Sequence, residues 1–554
     1  MAGGGVVLAL AFGLLACTPR VERPPAPPAM DRDPGPHILE VDRFPGPSDR
    51  ERINQAFSEA SRIEGPKILR FATRDYLIKP ARLDTFEPVL GGHGITDLTI
   101  EGQGAVLVAQ DALDAQKGYF FKVSSFSNLV VRDLTLTYRP APFVQGTIVR
   151  TDQSNNLTTL RLDPAYAHIE RLTQTPHSEL WCRVGRREAP HLPKPDNPSW
   201  MNVGVESNGA VRMTTHEDGS VTVAAGWIDM EWALHAQYNW EPGDPFVMWK
   251  RAGQDGFCFE AGQQLVLQNL RAESALHFAI KLRGVEGARL SRCAVEPSPG
   301  AMLSGCADGV DVQQSQDVVV EDGTLISTGD DAISFLNHRH GHNGEAFEQK
   351  FPPPYPETNE RVLLRNNRIE GGNRNGILLL AFEADVIGNQ VSHIRQYGLK
   401  FSGNDTRVEG NTFRAVGTFS AYRHIPDELN TGIICSDEWD QYRVTIRNNR
   451  VEDWRNMPGI LLKSLHNARV TGNTFVQHDA ATVAAKPHNP YLDELKAVVV
   501  TDGNFEYTPR HSSDLSIQGN RIVAPGAWSQ VEEAFFIHGN QDRMAIHNNE
   551  LAAP

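Results

Sequence analysis

Over much of the chain, apolar and polar residues alternate in short runs that end in an asparagine. From residue 360 onward each run closes with Asn, one further residue and an aliphatic or aromatic one, as in VLLRNNRI, ADVIGNQV and TRVEGNTF. Alternation with a period of two predicts β-strands with one buried face. The asparagines recur at a nearly constant interval of 22 to 24 residues, at Asn367, Asn389 and Asn411 and again at Asn449 and Asn473.

This repeat is too short for a helical hairpin or a propeller blade, and each unit carries two or three strand-like segments separated by Gly or Asn. Each unit therefore predicts one coil of a right-handed parallel β-helix, an all-β solenoid. Stacked coils would align the asparagines in a hydrogen-bonded ladder beside tight left-handed turns. We interpret these asparagines as structural. The same pattern occupies residues 262–335 and residues 98–138.

Two segments depart from the repeat. Residues 49–65 have apolar residues at helical spacing, which predicts a capping helix over the first coil. The apolar positions of that segment are Ile53, Phe57, Ala60 and Ile63. Residues 140–255 contain proline-rich loops and short strand-like runs such as PFVMWKR, which predict an inserted β-barrel or sandwich. We therefore expect a cap and first coils over 49–139, the insertion over 140–255, and the main β-helix with the catalytic coils over 256–554.

The N-terminal residues have the features of an export signal. The apolar run from Val6 to Ala16 has the length of a signal-peptide core, and it ends in LLAC, which resembles the lipobox of bacterial lipoproteins. The resemblance implies a signal peptide over 1–17 and lipidation of Cys17. Residues 18–48, with RPPAPPAM, predict a proline-rich tether. We therefore expect a lipoprotein of the bacterial cell envelope, in the outer membrane or periplasm, that contacts the membrane only through this anchor.

Composition and charge exclude several classes. With 40% hydrophobic and 22% charged residues the chain can bury a large core, and a net charge of −15 argues against nucleic acid as a partner. The cysteines other than Cys17 show neither a disulfide framework nor a zinc-site spacing, so we expect small buried residues. They are Cys182, Cys258, Cys293, Cys306 and Cys435. We predict no metal and no cofactor, and the oligomeric state stays open, a homo-oligomer included.

The clearest chemical signal lies in ADGVDVQQSQDVVVEDGTLISTGDDAISF. Asp308 is separated from Asp330 and Asp331 by the length of one coil, so the three carboxylates should share one surface groove. Crowded carboxylates place an acid and a base side by side, which is what hydrolysis of a glycosidic bond needs. Turn formation or calcium binding are the alternatives for aspartates in such a pattern.

This stretch resembles the signature of the polygalacturonases, glycoside hydrolase family 28. Their pattern N-T-D-G-[IV]-D followed by G-D-D-[AC]-I is matched here except that Cys306 and Ala307 replace Asn and Thr. The resemblance implies that the family's three aspartates correspond to Asp308, Asp330 and Asp331. That family also carries a Gly-His-Gly and an Arg-x-Lys, for which the nearest candidates are His338, His340, His342 and Lys400.

A wider region, roughly residues 65 to 475, is similar to glycoside hydrolase family 110, the exo-acting α-1,3-galactosidases. The likeness lies in DLTIEGQGAVLV, EPGDPFVMWKR, VEPSPGAMLSGCADGVDV, RNGILLLAFEADVIGNQ and DEWDQYRVTIRNN. Both resemblances imply inverting chemistry on an oligo- or polysaccharide substrate. The side chains that we expect to contact the sugar are Asp311, His338, Lys281, Arg283, Arg374, Glu383 and Trp439, the last beside Asp437.

The sequence thus predicts a secreted, inverting glycoside hydrolase that acts at chain ends on α-galactosidic linkages of glycans or galactans. The nearest alternative is a polygalacturonase-like endo-hydrolase of a uronic-acid polysaccharide. A polysaccharide lyase or epimerase on the same fold is a further alternative, although such enzymes typically abstract a proton with Arg, Lys or a Tyr and His pair. A noncatalytic carbohydrate-binding adhesin would show the same repeats without a reason to stack the aspartates.

Overall fold

The structure is a computed structural model, and residues 37–554 form a unit of their own. It describes residues 35–80, 87–113, 118–152, 154–155, 157–170, 180–195, 213–224, 240–250, 253–336, 358–417, 433–436, 440–453, 457–478, 498–501, 512–524, 528, 530–537 and 543–552. No helix of these residues is long and apolar enough to cross a membrane.

The first part of the chain contains one α-helix and seven strands. These are β1 (His37–Glu40), α1 (Asp49–Ala60), β2 (Lys67–Arg70), β3 (Asp75–Ile78), β4 (Pro88–His93), β5 (Thr96–Gln110), β6 (Tyr119–Ser124) and β7 (Ser127–Arg139). The hydroxyl of Ser48 caps α1 by accepting from the backbone N–H of Glu51, and the buried residues are on one face of the helix. They are Ile53, Ala56, Phe57 and Ala60.

The capping helix is confirmed, although it ends at Ala60 rather than at residue 65. The expected tether, in contrast, is too long at its C-terminal end. Strand β1 lies inside the range 18–48 and pairs in parallel with β2, because Leu39 packs against the apolar core. Cys17 and the signal-peptide range lie outside the described residues, and lipidation stays a prediction.

Six strands form the insertion. They are β8 (Phe143–Asp152), β9 (Leu157–Leu162), β10 (Leu180–Val184), β11 (Met213–Thr215), β12 (Val221–Ala224) and β13 (Pro245–Lys250). Within the described residues they make one antiparallel sheet in the order β10-β13-β8-β9-β12-β11. That this sheet belongs to a β-barrel or sandwich stays a prediction. The insertion leaves the solenoid without interrupting it, because β14 stacks directly on β6 and β7.

The main part consists of short strands in regular succession. They are β14 (Asp255–Gln268), β15 (Arg271–Ala272), β16 (Ile280–Ser291), β17 (Ala294–Val295), β18 (Val310–Gln313), β19 (Gln316–Glu321), β20 (Thr324–Ile326), β21 (Ile333–Leu336), β22 (Glu360–Arg365), β23 (Arg368–Glu370), β24 (Ile377–Leu380), β25 (Phe382–Ile387), β26 (Gln390–Ser392), β27 (Leu399–Ser402), β28 (Arg407–Glu409), β29 (Thr412–Arg414), β30 (Ile434–Ser436), β31 (Gln441–Tyr442), β32 (Thr445–Arg447), β33 (Arg450–Glu452), β34 (Ile460–Leu462), β35 (Leu465–Thr471), β36 (Thr474–Val476), β37 (Val499–Thr501), β38 (Ser513–Gln518), β39 (Arg521–Val523), β40 (Phe535–Ile537), β41 (Ala545–His547) and β42 (Glu550–Leu551).

Each coil contributes one strand to each of three parallel sheets, and the protein is a right-handed parallel β-helix, as predicted. In the coils that carry Asp308 and Asp331, and in the two that follow, β18, β21, β24 and β27 succeed one another in the first sheet. Strands β19, β22 and β25 do so in the second sheet, and β20, β23 and β26 in the third. Inward side chains form aliphatic stacks through the core, such as Ile280, Val310, Ile333, Ile377 and Leu399, all buried.

The predicted asparagine ladder is confirmed at the corner between the second and third sheets, which we call the asparagine corner. Each carboxamide oxygen accepts the backbone N–H of the previous rung, for example Asn367 to Asn389 at 3.0 Å. The ladder runs on through further rungs to Asn520 and Asn549. The residue before each ladder asparagine is left-handed, as at Gly388 with φ 66°. The ladder therefore satisfies backbone groups that strand pairing leaves open at the turn.

The five described cysteines are all buried, and no disulfide joins them in the described part of the chain. This agrees with the expectation of small core residues.

Candidate active site

The aspartates lie where the third sheet leads into the first sheet, at a corner that we call the acid corner. Asp308 and Asp331 each precede a first-sheet strand by two residues, so they occupy the same position on consecutive coils, with Asp330 next to Asp331. One coil earlier this position holds Phe278, and one coil later it holds Asn375. The spacing in the sequence therefore corresponds to one coil, as predicted.

Glycines allow the coils to approach closely at this corner. A Cβ atom on Gly309 would lie 2.6 Å from the carbonyl oxygen of Ala332, and one on Gly329 would lie 2.6 Å from that of Cys306. Atoms at such a distance overlap, so a side chain at either position would push consecutive turns apart. The glycines of ADG and GDD thus keep the aspartates of neighbouring coils close together.

The three carboxyl groups form one buried cluster. One oxygen each of Asp308, Asp330 and Asp331 can be chosen so that all three lie within 4.8 Å of one another. The residues are 3%, 1% and 3% exposed. Within the described residues, these are the only three acidic, His or Cys side chains that lie close enough together to share a cation. Our expectation of no metal is not tested by this geometry and stays a prediction.

Asp308 is held by donors on both of its oxygens. The backbone N–H of Asp331 donates to Oδ1 at 3.2 Å, and the hydroxyl of Ser334 lies 2.6 Å from Oδ2. Asp331 in turn accepts the backbone N–H of Asn375 at 3.1 Å. Donors of this kind stabilise the ionised form of a carboxyl group. The rungs of the corner are therefore linked through the carboxylates themselves.

Asp311 is fully buried, on the outer face of the first sheet, because Val310 and Val312 on either side of it face the core. Its Oδ1 is 3.1 Å from the hydroxyl of Ser334, and its Oδ2 accepts from the Gln313 carboxamide at 2.8 Å. Burial raises the pKa of Asp311 to about 6, against the opposing charge of Lys281. We expected Asp311 to contact the sugar; the structure buries its carboxyl group between Ser334 and Gln313.

Basic groups adjoin the cluster on the preceding coils. Lys281 stacks on Asp311 across the strand pair and lies 3.1 Å from Oδ2 of Asp255, whose Oδ1 is 2.7 Å from Nδ1 of His277. Burial alone would lower the pKa of Lys281, but the charges of Asp255 and Asp311 raise it above its usual range. Lys281 therefore keeps its proton. Arg283 lies farther along the same strand, 3.8 Å from Glu260.

Arg374 adjoins the cluster on the following coil. One of its terminal nitrogens is 3.8 Å from Oδ1 of Asp330. The Arg374 side chain is 23% exposed, and that of His277, on the other side of the cluster, is 25% exposed. The acid corner thus has a partly exposed side chain on the coil before it and another on the coil after it.

The remaining predicted contacts fall in two groups. Glu383 is exposed at the corner between the first and second sheets, in left-handed conformation next to Arg361, so the structure does not bring it to the acid corner. The reason is that a residue after the end of β24 has already passed the first sheet. Lys400 lies on the first sheet, two coils after Ser334. His338, His340, His342, Asp437 and Trp439 lie outside the described residues.

Sequence reasoning missed four polar residues that line this corner, Ser334, Gln313, Asp255 and His277. One signal was present for Ser334. It follows Asp331 by three residues just as Asp311 follows Asp308, so the two occupy equivalent positions on consecutive strands. Asp255 and His277 lie outside any motif, and only the stacking of coils shows that they are near.

The insertion packs against the turn that leads into Asp308. Aromatic residues on one face of its sheet, among them Phe143, Trp181 and Trp249, form a cluster with Met302 and Leu303. This contact ties the insertion to the acid corner through an apolar interface.

A buried arginine of the insertion reaches the same corner. The Arg183 guanidinium donates to the carbonyl oxygens of Met302 at 2.8 Å and Gly371 at 3.0 Å and to the hydroxyl of Ser327 at 2.6 Å. Burial lowers the pKa of Arg183. Arg183 thus bridges three successive turns of the acid corner.

The family model of the right-handed beta helix region matches residues 249–413 and 355–494. No curated protein matches this sequence. Similar solved structures include the A-module of a mannuronan C-5 epimerase from Azotobacter vinelandii, with 12% identity over 93% of this chain and 99% of that chain and a TM-score of 0.44.

Two other similar structures are a surface adhesin, PfbA, of Streptococcus pneumoniae and a family 28 exopolygalacturonase of Yersinia enterocolitica. The adhesin has 9% identity over 88% of this chain and 90% of its own, with a TM-score of 0.43. The exopolygalacturonase has 11% identity over 93% of this chain and 78% of its own, with a TM-score of 0.40. The three proteins are named for different functions, an epimerase, an adhesin and an exopolygalacturonase.

Proposed function

We propose that this protein is a glycoside hydrolase that cleaves an O-glycosidic bond of an oligo- or polysaccharide at the acid corner. The single observation that carries the proposal is the buried cluster of Asp308, Asp330 and Asp331, with one oxygen of each within 4.8 Å of the others. Glycoside hydrolysis needs one carboxylic acid to protonate the leaving oxygen and one carboxylate to activate water or attack the sugar.

Electrostatics supports this pairing. Two charges at 4.8 Å repel by roughly 3–4 kcal/mol at an effective dielectric constant of about 20. Three ionised groups at that distance would be strongly disfavoured, so we expect the cluster to hold at least one proton near neutral pH. Asp308, with two donors on its oxygens, is the best candidate for the ionised base. The acid is then Asp330 or Asp331.

The stereochemistry is a separate part of the proposal. Both family resemblances imply inversion, for which the two carboxyl groups typically lie about 6.5–9.5 Å apart, against about 5–5.5 Å for retention. The nearest oxygens here are closer than the inverting range. We keep inversion as the hypothesis, and proton NMR of the first product before mutarotation decides it, since retention of configuration would refute it.

For the substrate, we propose a terminal α-galactosidic linkage, with a uronic-acid polysaccharide cut internally as the alternative. The support is the resemblance of the motifs together with the basic side chains of Lys281 and Arg374 beside the acids. The lipid anchor at Cys17 would place this activity in the cell envelope. Fractionation tests the anchor, because a fully soluble wild type that Cys17→Ser leaves unchanged would contradict it.

Two rival functions fit the corner less well. A lyase or epimerase typically uses Arg, Lys or a Tyr and His pair as its base, and Lys281 at this corner retains its proton between Asp255 and Asp311. A noncatalytic adhesin would gain nothing from stacking like-charged carboxylates in a buried cluster, which weakens the fold. An ultraviolet-absorbing unsaturated product would favour the lyase.

The test of the proposed function is reducing-end release across a panel of galactosides, galacturonans and sulfated galactans. We expect the wild type to release reducing ends from at least one of them and Asp308→Asn to release none above background. Ordered binding of a glycan with no cleavage in any member of the panel would sink the hydrolase proposal and favour the adhesin.

A further inference from the structure

We infer that Asp311 and Ser334 form a proton-holding pair that positions Asp308 and keeps it ionised. Neither residue would touch the sugar, so both are positioning residues, and the inference rests on the proposed function of the acid corner. It follows from the placement of one hydroxyl group between two buried carboxyl groups.

The hydroxyl of Ser334 has a single proton to donate. It lies 2.6 Å from Oδ2 of Asp308 and 3.1 Å from Oδ1 of Asp311, and all three residues are buried. The shorter contact assigns the donated proton to Asp308. The longer contact is then favourable only if Asp311 donates to the Ser334 oxygen, because two oxygens without a proton between them repel. Asp311 must therefore carry a proton for the bridge to close.

The other contacts of Asp311 agree with this assignment. Its Oδ2 accepts from Gln313 at 2.8 Å, which leaves Oδ1 as the oxygen that faces Ser334 and carries the proton. Burial raises the pKa of Asp311 to about 6, so the proton is present over the acidic range. A neutral Asp311 also spares the corner a fourth negative charge.

Charged groups face Asp311 from each neighbouring element in the described residues. Lys281 on β16 favours its ionised form, as does His277 just before that strand, whereas Asp255 on β14 opposes ionisation. Asp308 lies on its own turn, and β21 contributes only the neutral Ser334. The positive charge of Lys281 is shared with Asp255 at 3.1 Å, so it is not committed to Asp311. The bridge through Ser334 therefore opens as Asp311 loses its proton.

The pair has a functional consequence. With Asp311 protonated, Ser334 donates to Asp308 and stabilises its charge, as a base needs. When Asp311 ionises, the Ser334 proton is contested by two carboxylates, and Oδ2 of Asp308 loses its fixed donor. We therefore expect kcat to fall as pH rises through about 6.

Three variants test the pair, with Ser402→Ala on the same sheet as the matched control. Ser334→Ala should lower kcat about 10- to 100-fold with little change in KM, since a hydrogen bond to a charged group is lost. Ser334→Thr, which keeps the hydroxyl, should recover most of that loss. Asp311→Asn donates at every pH, so kcat should stay within about threefold at pH 5 and the step near pH 6 should disappear.

A second readout needs no activity. In wild type, difference infrared spectroscopy should show a protonated carboxyl band that titrates near pH 6, is absent in Asp311→Asn and shifts in Ser334→Ala. An unchanged kcat profile in Asp311→Asn, or a carboxyl band that still titrates near pH 6 in that variant, would overturn the pair. If the wild type cleaves no glycan while the band behaves as expected, the proposed hydrolase fails and the pair stands.

Discussion

Two corners of each coil can be compared, because both are lines of equivalent positions that run along the helix. At the asparagine corner the same residue returns on every rung from Asn367 onward, and Gly323 takes the place of an asparagine in the coil before. At the acid corner the residue changes on every rung but one, from Phe278 through the pair Asp308 and Asp331 to Asn375.

The difference separates stability from function. A carboxamide can accept and donate at once, so identical asparagines satisfy each other and the backbone without charge. Identical aspartates on neighbouring rungs repel, and only donors from the backbone and from Ser334 offset this. The acid corner thus buries like charges side by side, which lowers stability, and it does so where the repeat changes from coil to coil. Such a local conflict with stability is typical of functional sites.

Removing single carboxylates at the acid corner is the largest expected effect. Asp308→Asn, Asp330→Asn and Asp331→Asn should each lower kcat about 10²- to 10⁴-fold, because each replaces an acid or base by an isosteric amide. Their stability should be equal to that of the wild type or higher, since like-charge repulsion is relieved. Kinetics with thermal melts measures both.

Asp405→Asn is the matched control, because Asp405 is an exposed aspartate at the corner between the first and second sheets and pairs with Arg443. Its kcat should remain unchanged. If all three Asp→Asn variants of the acid corner kept the wild-type kcat, the acid corner would not be functional and would not differ in role from the asparagine corner.

The converse substitution at the asparagine corner comes next. Asn411→Ala removes a carboxamide that accepts from the Asn389 N–H at 2.8 Å and donates to the Val386 carbonyl oxygen and to Asn449. Because buried groups lose their partners, the free energy of unfolding should fall by about 2–4 kcal/mol. Denaturant titration checks it, and kcat of the folded fraction should not change. A stable variant with reduced kcat would contradict the structural role.

Between the two corners, only the acid corner should make stability depend on pH, because the asparagines of the other corner carry no titratable group. The pKa of Asp311 is raised from 3.8 in the unfolded chain to about 6, so its stabilising contribution is complete below about pH 4 and is lost as pH rises through 6. The loss should approach roughly 3 kcal/mol. Asp311→Asn should lack this change in denaturant midpoint between pH 4 and 7, whereas Asn411→Ala should retain it.

The insertion should affect the acid corner more than the asparagine corner. Arg183→Met removes donors to the turns at Met302, Ser327 and Gly371 but keeps the volume of a buried side chain. We expect kcat/KM to fall about tenfold as the turns before the aspartates lose their alignment. Arg187→Met, on an exposed part of the insertion, is the control. Equal activity in both variants would show that the insertion does not position the site.

The smallest effect is expected at Glu383. The structure places this residue in an exposed position at the corner between the first and second sheets, so Glu383→Gln should change kcat and KM by less than about twofold. Steady-state kinetics on the best substrate of the panel checks this. A tenfold rise in KM would mean that the substrate extends around the first sheet.

Repetition explains which parts of the molecule were predictable. The regular spacing of the asparagines between Asn367 and Asn473 predicted the length of one coil. That length in turn predicted that Asp308 lies next to Asp330 and Asp331 on the following coil. Asp311 was expected to contact the sugar because its motif gives no sign that the side chain is buried. Glu383 was expected to do so because its place in the repeat predicts its position along the helix axis but not the corner of the coil at which it lies. Arg183 comes from the non-repetitive insertion, where no interval relates it to the turns it contacts.

Isotope labelling of the cleavage product tests the central claim most directly. The glycan panel is digested in water enriched in oxygen-18, and the products are weighed by mass spectrometry. We predict that each cleavage adds one labelled water at the newly formed reducing end and that Asp308→Asn adds none. A product without added water, or no cleavage of any glycan by the wild type, would contradict the assignment of the acid corner to glycoside hydrolysis.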